Sequence, residues 1–108
     1  SKNLTVACYL SIALLQTKGL DGFATGVHVL RELLENFWDT MFPPKKRMRG
    51  RVNSITWWTE RIDIKIPDLT TETWPKEKHQ VFTEDLAAID SFLAMKTGKN
   101  FSLTSLSG

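Results

Sequence analysis

The side chains that could carry out catalytic or metal chemistry are few in this sequence, and their spacing does not favour such chemistry. His28 and His79 are the two histidines, and neither has a partner at the spacing of a His-x-x-x-His or Glu-x-x-His motif. Cys8 is the single cysteine, so the chain has neither a CxxC pair nor an internal disulfide. We therefore expect no metal site and no cofactor.

Acidic residues near the end of the chain are the other source of acid–base chemistry. Glu84, Asp85 and Asp90 could act as acid and base only if two of them shared a cleft, and we interpret all three as a solvated helix face. Cys8 lies among apolar residues, which is typical of a small core residue rather than a reactive thiol. No P-loop and no GxGxxG motif is present. The sequence therefore predicts a protein that is not an enzyme.

Positive charge is concentrated in one short segment. Five of the seven residues from 45 to 51 are basic, whereas the other nine basic residues of the chain are outnumbered by twelve acidic ones. With Trp57 nearby, a helical module that binds nucleic acid through residues 45–51 is an alternative function. The acidic balance of the remaining chain and the absence of a nucleic-acid-binding motif argue against it, and we expect no nucleic-acid partner.

Length and composition indicate one globular domain. The chain has 108 residues, of which 42% are hydrophobic and 24% charged, which is ordinary for a soluble domain with one core. The longest apolar stretch, Val6–Leu15, is about half the length needed to span a bilayer, so we expect no membrane insertion. Because the sequence lacks an initiator Met and a secretory leader, we expect a single helical domain over residues 1–108 that is a fragment of a longer protein.

Two helices are predicted in the first part of the chain. Ser1 can cap a helix that runs to about Lys18, and Gly19 can end it because glycine adopts the left-handed cap conformation without steric cost. This helix is apolar on nearly every side, which is typical of a central or interface helix. A second helix over residues 21–39 contains Gly26, whose position indicates close approach of the first helix.

A loop and a third helix follow. Pro43 and Pro44 predict a loop over Thr40–Lys46 because proline cannot continue a helix. A third helix is expected from about Met48 to Arg61, and the alternation of Ile62–Ile66 favours an extended connection. The predicted buried stripe of the third helix consists of Val52, Ile55, Trp58 and Ile62, with Trp57 partly at the surface.

A fourth helix is predicted near the end of the chain. Thr73 can cap it, Pro75 fits its first turn, and Gly98 can stop it. The Ser- and Thr-rich segment 100–108 follows, with leucines that can attach it to the bundle. The predicted fold class is all-α, a compact bundle of about four helices with a proline-containing basic loop between helices 2 and 3.

The order and spacing of many residues resemble one known family. They are Ser1-Lys2-Asn3-Leu4, Ala7, Tyr9-Leu10, Ala13-Leu14-Leu15, Gly19-Leu20-x-Gly22-Phe23, Gly26, Leu30, Leu33-Leu34, Phe37-Trp38-Asp39, Phe42-Pro43-Pro44, Arg47-x-Arg49-Gly50-Arg51, Asn53, Trp57-Trp58 and Glu60-Arg61. This pattern resembles the N-terminal ImpA-related domain of the TssA proteins. The resemblance is dense from Ser1 to about Arg61 and looser beyond.

The resemblance implies a role in the type VI secretion system of Gram-negative bacteria. TssA proteins are cytoplasmic, act at the secretion apparatus on the inner membrane, and are not enzymes. They take part in assembling the baseplate and the tail tube and sheath. The partners implied are other components of that machine, from the baseplate, tube, sheath or membrane complex. Ring formation in the family is attributed largely to a C-terminal region outside this chain, and we expect a homodimer or higher homo-oligomer from the apolar first helix.

The family motif residues allow a structural and a docking interpretation. The structural signature consists of Gly22, Gly26, Trp38, Asp39, Gly50 and Trp58. Trp38 and Trp58 are expected in the core, and Arg49 or Arg51 is expected to pair with Asp39 or Glu60. The candidate protein-docking residues are Pro43, Pro44, Arg47, Arg49, Arg51, Trp57 and Arg61, because arginine and tryptophan are frequent in interface hot spots.

Overall fold

The computed structural model describes residues 2–65 and 74–103, which form an all-α fold. Its helices are α1 (Leu4–Phe37), α2 (Met48–Lys65) and α3 (Lys76–Thr97). In these two segments the residues form no β-strand, and the predicted all-α class is confirmed. The expected count of about four helices is not confirmed, because the first two predicted helices are continuous except for one residue.

That residue is Gly19, which divides α1 into two halves. Its φ of 66° and ψ of −151° lie outside the helical region, in a conformation that glycine adopts more readily than other residues. The chain folds back there, so residues 20–37 pack against residues 4–18. A Cβ atom built on Gly26 would lie 2.6 Å from the Cβ of Ser11. The predicted break at Gly19 and the predicted close approach at Gly26 are therefore confirmed.

The start of α1 is held by a side-chain cap and by the segment that follows the helix. The cap is Asn3, whose Oδ1 accepts a hydrogen bond of 3.1 Å from the backbone N–H three residues later. Ser1, the predicted cap, lies outside the described residues. Leu4 N–H donates to the Phe42 carbonyl at 2.7 Å, and Phe42 N–H donates to the Lys2 carbonyl at 2.9 Å. The two ends of α1 are thereby joined.

The hydrophobic core lies where α1 packs against both α2 and α3. Its members include Phe23, Leu30 and Leu34 of α1, Ile55, Trp58 and Ile62 of α2, and Phe82, Leu86 and Ile89 of α3. Trp38 and Trp58 are both buried, as the sequence predicts. Burial of large aromatic rings is the main favourable contribution that such side chains make to folding.

The segment between α1 and α2 differs from the predicted loop over Thr40–Lys46 in one respect, because residues 45–47 form a single 3-10 turn. α2 begins directly after it at Met48, where the third helix was predicted to begin. Arg49 and Arg51 are therefore residues of α2. The C-terminal end of α2 also differs, because the helix continues to Lys65 where an extended connection was predicted. Ile62 is fully buried, and its packing in the core outweighs the local alternation of apolar and charged residues.

α3 ends as its sequence predicts. Gly98 has a left-handed φ of 75°, and its N–H donates to the Ala94 carbonyl at 2.9 Å. The helix begins at Lys76 after Pro75, and the predicted cap Thr73 lies outside the described residues. Leu103, beyond the helix, is buried against the core. Among the described residues, none of the helices combines the length and apolarity that crossing a membrane requires.

Candidate docking surface

One face of α2 carries an aromatic ring between polar groups. Asn53, Trp57 and Arg61 are four residues apart, which places them on one side of the helix. Trp57 is half-buried, whereas Asn53 and Arg61 are exposed. The Arg61 guanidinium lies 5.4 Å from the centre of the Trp57 ring, within the range of a cation–π contact. This contact leaves both groups accessible to a partner.

α1 contributes a second aromatic ring to the same surface. The ring of Tyr9 lies edge-on to the Trp57 ring, with centroids 4.5 Å apart and an interplanar angle of 78°. Tyr9 is 53% exposed although its half of α1 is strongly apolar. A groove of about 190 Å³ lies beside the pair and is also lined by Asn53 and Ser54. We call it the Tyr9–Trp57 groove.

Sequence reasoning missed Tyr9 as part of this surface. The signal available was that the single tyrosine of the chain occurs in a nearly continuous apolar helix. A phenol combines an apolar ring with a polar tip, and such a side chain favours a position where one end is buried and the other is wet. Only the packing of α1 on α2 shows that Tyr9 meets Trp57.

One hydrogen bond beside the groove joins α1 to α2, and a second lies within α2. The hydroxyls of Thr5 and Ser54 lie 2.7 Å apart, and Ser54 donates to the Gly50 carbonyl at 3.1 Å. Cys8 is buried beside them, and this burial raises the pKa of its thiol to about 12. The thiol is therefore protonated at neutral pH and is a poor nucleophile there.

The basic segment is exposed along most of its length. Lys46, Arg47 and Arg49 are exposed, as is Pro44. Lys45 donates a hydrogen bond of 2.9 Å to Asp39, and this contact lowers the pKa of the Asp39 carboxyl below its usual value. The segment therefore presents a cluster of accessible cations at the N-terminal end of α2.

Arg51 is the exception, because its side chain is buried. Its Nε donates to the Pro43 carbonyl at 2.6 Å and its Nη2 donates to the Met41 carbonyl at 3.0 Å. The guanidinium also lies 4.5 Å from the centre of the Trp38 ring. Burial lowers the pKa of this guanidinium below its ordinary value, while the nearby Asp39 charge raises it. Arg51 thus joins the segment after α1 to α2 from within.

These positions correct part of the sequence interpretation. An arginine does hold the loop, but Arg51 does so through backbone carbonyls and not through Asp39 or Glu60 as predicted. Asp39 pairs with Lys45 instead. Pro43 is buried as well. Of the candidate docking residues, the ones that present accessible surface are Pro44, Arg47, Arg49, Trp57 and Arg61.

The glycines of the structural signature lie at close contacts of different severity. A Cβ atom on Gly22 would lie 2.5 Å from the Leu14 carbonyl oxygen, which leaves no room for a side chain. On Gly50 the nearest atom would be the Cβ of Pro43 at 3.5 Å, an ordinary contact distance. Gly22 is therefore required by packing within α1, whereas Gly50 tolerates a methyl group.

The acidic residues of α3 do not form one solvated face. Asp85 is buried, and this contradicts the sequence interpretation. Its carboxylate accepts a hydrogen bond of 2.9 Å from Arg31 and lies 3.1 Å from Nδ1 of His28. The hydrogen bond to Asp85 raises the pKa of the Arg31 guanidinium. Asp85 faces α1 while its neighbour Glu84 faces solvent, because adjacent helical residues point about 100° apart.

Asp85 of α3 and its partners Arg31 and His28 of α1 form a cluster, which we call the Asp85 cluster. These contacts link α1 to α3 and compensate the buried charge of the Asp85 carboxylate. An i,i+4 contact between Arg31 and Glu35 at 3.3 Å extends the cluster towards solvent. Across residues 2–65 and 74–103 there is no group of three His, Cys, Asp or Glu side chains placed to hold a metal ion.

Comparison with known proteins adds a family match. Residues 1–60 match the family model described as ImpA, N-terminal, type VI secretion system. No match was found among the curated proteins or among the solved structures. The matched region contains both halves of α1, the basic segment and the Tyr9–Trp57 groove.

Proposed function

Because the chain belongs to the ImpA N-terminal family of the type VI secretion system, we propose that it is a non-catalytic assembly domain. It binds another protein of the secretion machine while the baseplate and the tail tube and sheath are built. Its place of action is the bacterial cytoplasm, at the apparatus on the inner membrane. The partner belongs to the baseplate, tube, sheath or membrane complex.

The observation that carries this proposal is the aromatic pair beside the basic segment. Tyr9 and Trp57 contact each other at the surface, and Arg61 lies over the Trp57 ring. Aromatic residues and arginine supply most of the binding energy in many protein interfaces, because they bring large area and several donors at a low cost in conformational entropy. A surface that combines them is suited to bind a protein.

The charge around the pair indicates the chemistry of the partner. Arg47 and Arg49 are exposed at the N-terminal end of α2, and Arg61 is exposed further along the helix. Exposed cations increase the association rate with a surface of opposite charge and disfavour basic partners. The partner segment expected here carries acidic side chains around an apolar group that fits the Tyr9–Trp57 groove.

The test is a pull-down of this chain against separate tube, sheath, baseplate and membrane-complex proteins. One component should be retained, and Trp57→Ala should weaken its binding at least about tenfold, the effect of losing about 1.4 kcal/mol. Arg61→Ala should also weaken this complex, and because Arg61 is exposed the substitution removes no side chain from the core. Met95→Ala is the matched control, because Met95 is 71% exposed on α3.

Two results would count against the proposal. The first is retention of none of the four classes of component by the wild-type chain, with circular dichroism showing that it is folded. The second is equal loss of binding in Met95→Ala and in Trp57→Ala. A DNA duplex serves as a further control, and retention on DNA that falls steeply with salt would favour the nucleic-acid function instead.

A further inference from the structure

A second groove lies between the two halves of α1. Its larger apolar lining residues are Val6, Leu10, Val29, Leu33 and Phe37, and its volume is about 470 Å³. We call it the α1 groove. Val6 and Leu10 are four residues apart, and so are Val29, Leu33 and Phe37, so each half of α1 contributes one apolar stripe. None of these residues lines the Tyr9–Trp57 groove.

The exposure of this lining is large for a chain of this size. Val6, Leu10 and Val29 are 57%, 49% and 46% exposed, and Phe37 is 36% exposed. These four are half of the eight large hydrophobic residues that are exposed in the described part of the chain. Single exposed apolar residues are ordinary, but a contiguous set that lines one groove is typical of an interaction surface.

The charges at the edge of the groove are balanced. Lys2 and Glu32 also line it, one of each sign. The Lys2 ammonium lies 4.7 Å from the centre of the Phe37 ring, and the Glu32 carboxylate lies 2.8 Å from Nε2 of His28. A strongly acidic or strongly basic partner gains nothing from this edge, whereas a surface with the same two charges can complement it.

We infer that the α1 groove is the contact face between two copies of this chain. In a twofold dimer the same surface patch of each copy forms the interface, so every contact between two different residues occurs twice. Lys2 of one protomer then faces Glu32 of the partner subunit, and the apolar stripes pack between them. Two halves of α1 from each copy would form a four-helix arrangement, which is a common way to bury such stripes.

This inference is independent of the proposed binding function, because the two surfaces have different linings. The test is the oligomeric state of the chain, measured by sedimentation equilibrium across a range of concentrations. The wild-type chain should dimerise, and Leu10→Glu should weaken the dimer at least about tenfold. Met95→Glu is the matched control, because it adds the same charge at an exposed apolar residue of α3, outside the groove.

Charge exchange provides a test that does not depend on a charge placed in the apolar lining. Lys2→Glu and Glu32→Lys should each weaken the dimer, and the double variant should recover most of the lost affinity. A folded chain that stays monomeric at all concentrations would overturn the inference. A dimer that Met95→Glu weakens as much as Leu10→Glu does would also overturn it. The same holds if the groove binds a helix of another secretion protein while the chain remains a monomer.

Discussion

The Trp58 indole N–H donates a hydrogen bond of 2.6 Å to the Ser11 hydroxyl, at a point where the two halves of α1 are in close contact. The same hydroxyl donates to the Cys8 carbonyl at 2.9 Å. Ser11 is fully buried and also faces Gly26 across the helical hairpin. Ser11 therefore supplies the hydrogen-bond acceptor for the buried Trp58 N–H, and its small side chain permits the close contact between the two halves of α1.

Replacing Ser11 with alanine tests this relationship. In Ser11→Ala the Trp58 N–H loses its acceptor inside the core, and leaving a buried donor unsatisfied costs about 1–3 kcal/mol. The free energy of unfolding from urea denaturation should fall by that amount. In a Trp58→Phe background, where no donor remains, the same change should cost much less. Equal costs in the two backgrounds would show that the hydrogen bond does not contribute.

Gly26→Ala should destabilise the protein although alanine favours helices. The new Cβ would lie 2.6 Å from the Ser11 Cβ and 2.7 Å from its Cα, so the two halves of α1 would have to separate. We expect a loss of about 1–3 kcal/mol, typical of overpacking. Gly50→Ala is the matched control, since its contact is ordinary and the helix gains up to about 1 kcal/mol. Thermal unfolding that ranks the two variants in the opposite order would contradict this account.

Arg51→Lys should be much more damaging than Arg49→Lys. Lysine cannot reproduce the forked contact of Arg51 with the Pro43 and Met41 carbonyls, nor its flat contact with Trp38. Unpaired buried groups should lower the free energy of unfolding by about 1–3 kcal/mol.

Arg49 is exposed, so the same change there should alter stability by no more than about 0.5 kcal/mol. Chemical denaturation of both variants measures the difference. Similar stabilities would show that Arg51 does not hold the segment before α2.

Cys8 should make stability depend on alkaline pH. Burial raises the pKa of its thiol from 9.0 to about 12, so between these values the unfolded chain loses a proton that the folded chain keeps. This contribution to stability is complete below pH 9.0 and is lost as the pH rises towards about 12. The slope is at most about 1.4 kcal/mol per pH unit.

The variant Cys8→Ala isolates this effect, because other groups that titrate at alkaline pH are common to both proteins. The free energy of unfolding of the wild-type chain should fall more steeply with pH than that of Cys8→Ala. The native thiol should also react slowly with a thiol reagent until urea unfolds the chain. Parallel pH profiles, or rapid modification of the native protein, would contradict the burial of Cys8.

Several features could be predicted from the sequence because their causes are local. Gly19 interrupts α1 and Gly98 ends α3, since both positions require a backbone conformation that glycine adopts most easily. Trp58 is buried because it lies on the apolar face of α2, and Trp38 is buried directly after the end of α1. The burial of Ile62 was predicted from helical spacing, but the end of α2 was predicted wrongly, because the local alternation of apolar and charged residues favoured an extended connection where the helix continues to Lys65.

The sequence by itself determined the all-α class, the break at Gly19 and the aromatic core, because helical periodicity and glycine conformation depend on neighbouring residues. Only the tertiary structure decided that Arg51 and Asp85 are buried and that Tyr9 meets Trp57 at the surface. The fate of a charged or amphipathic side chain depends on which element packs over it. That element lies tens of residues away in the chain, and its position is set by the packing of the whole bundle.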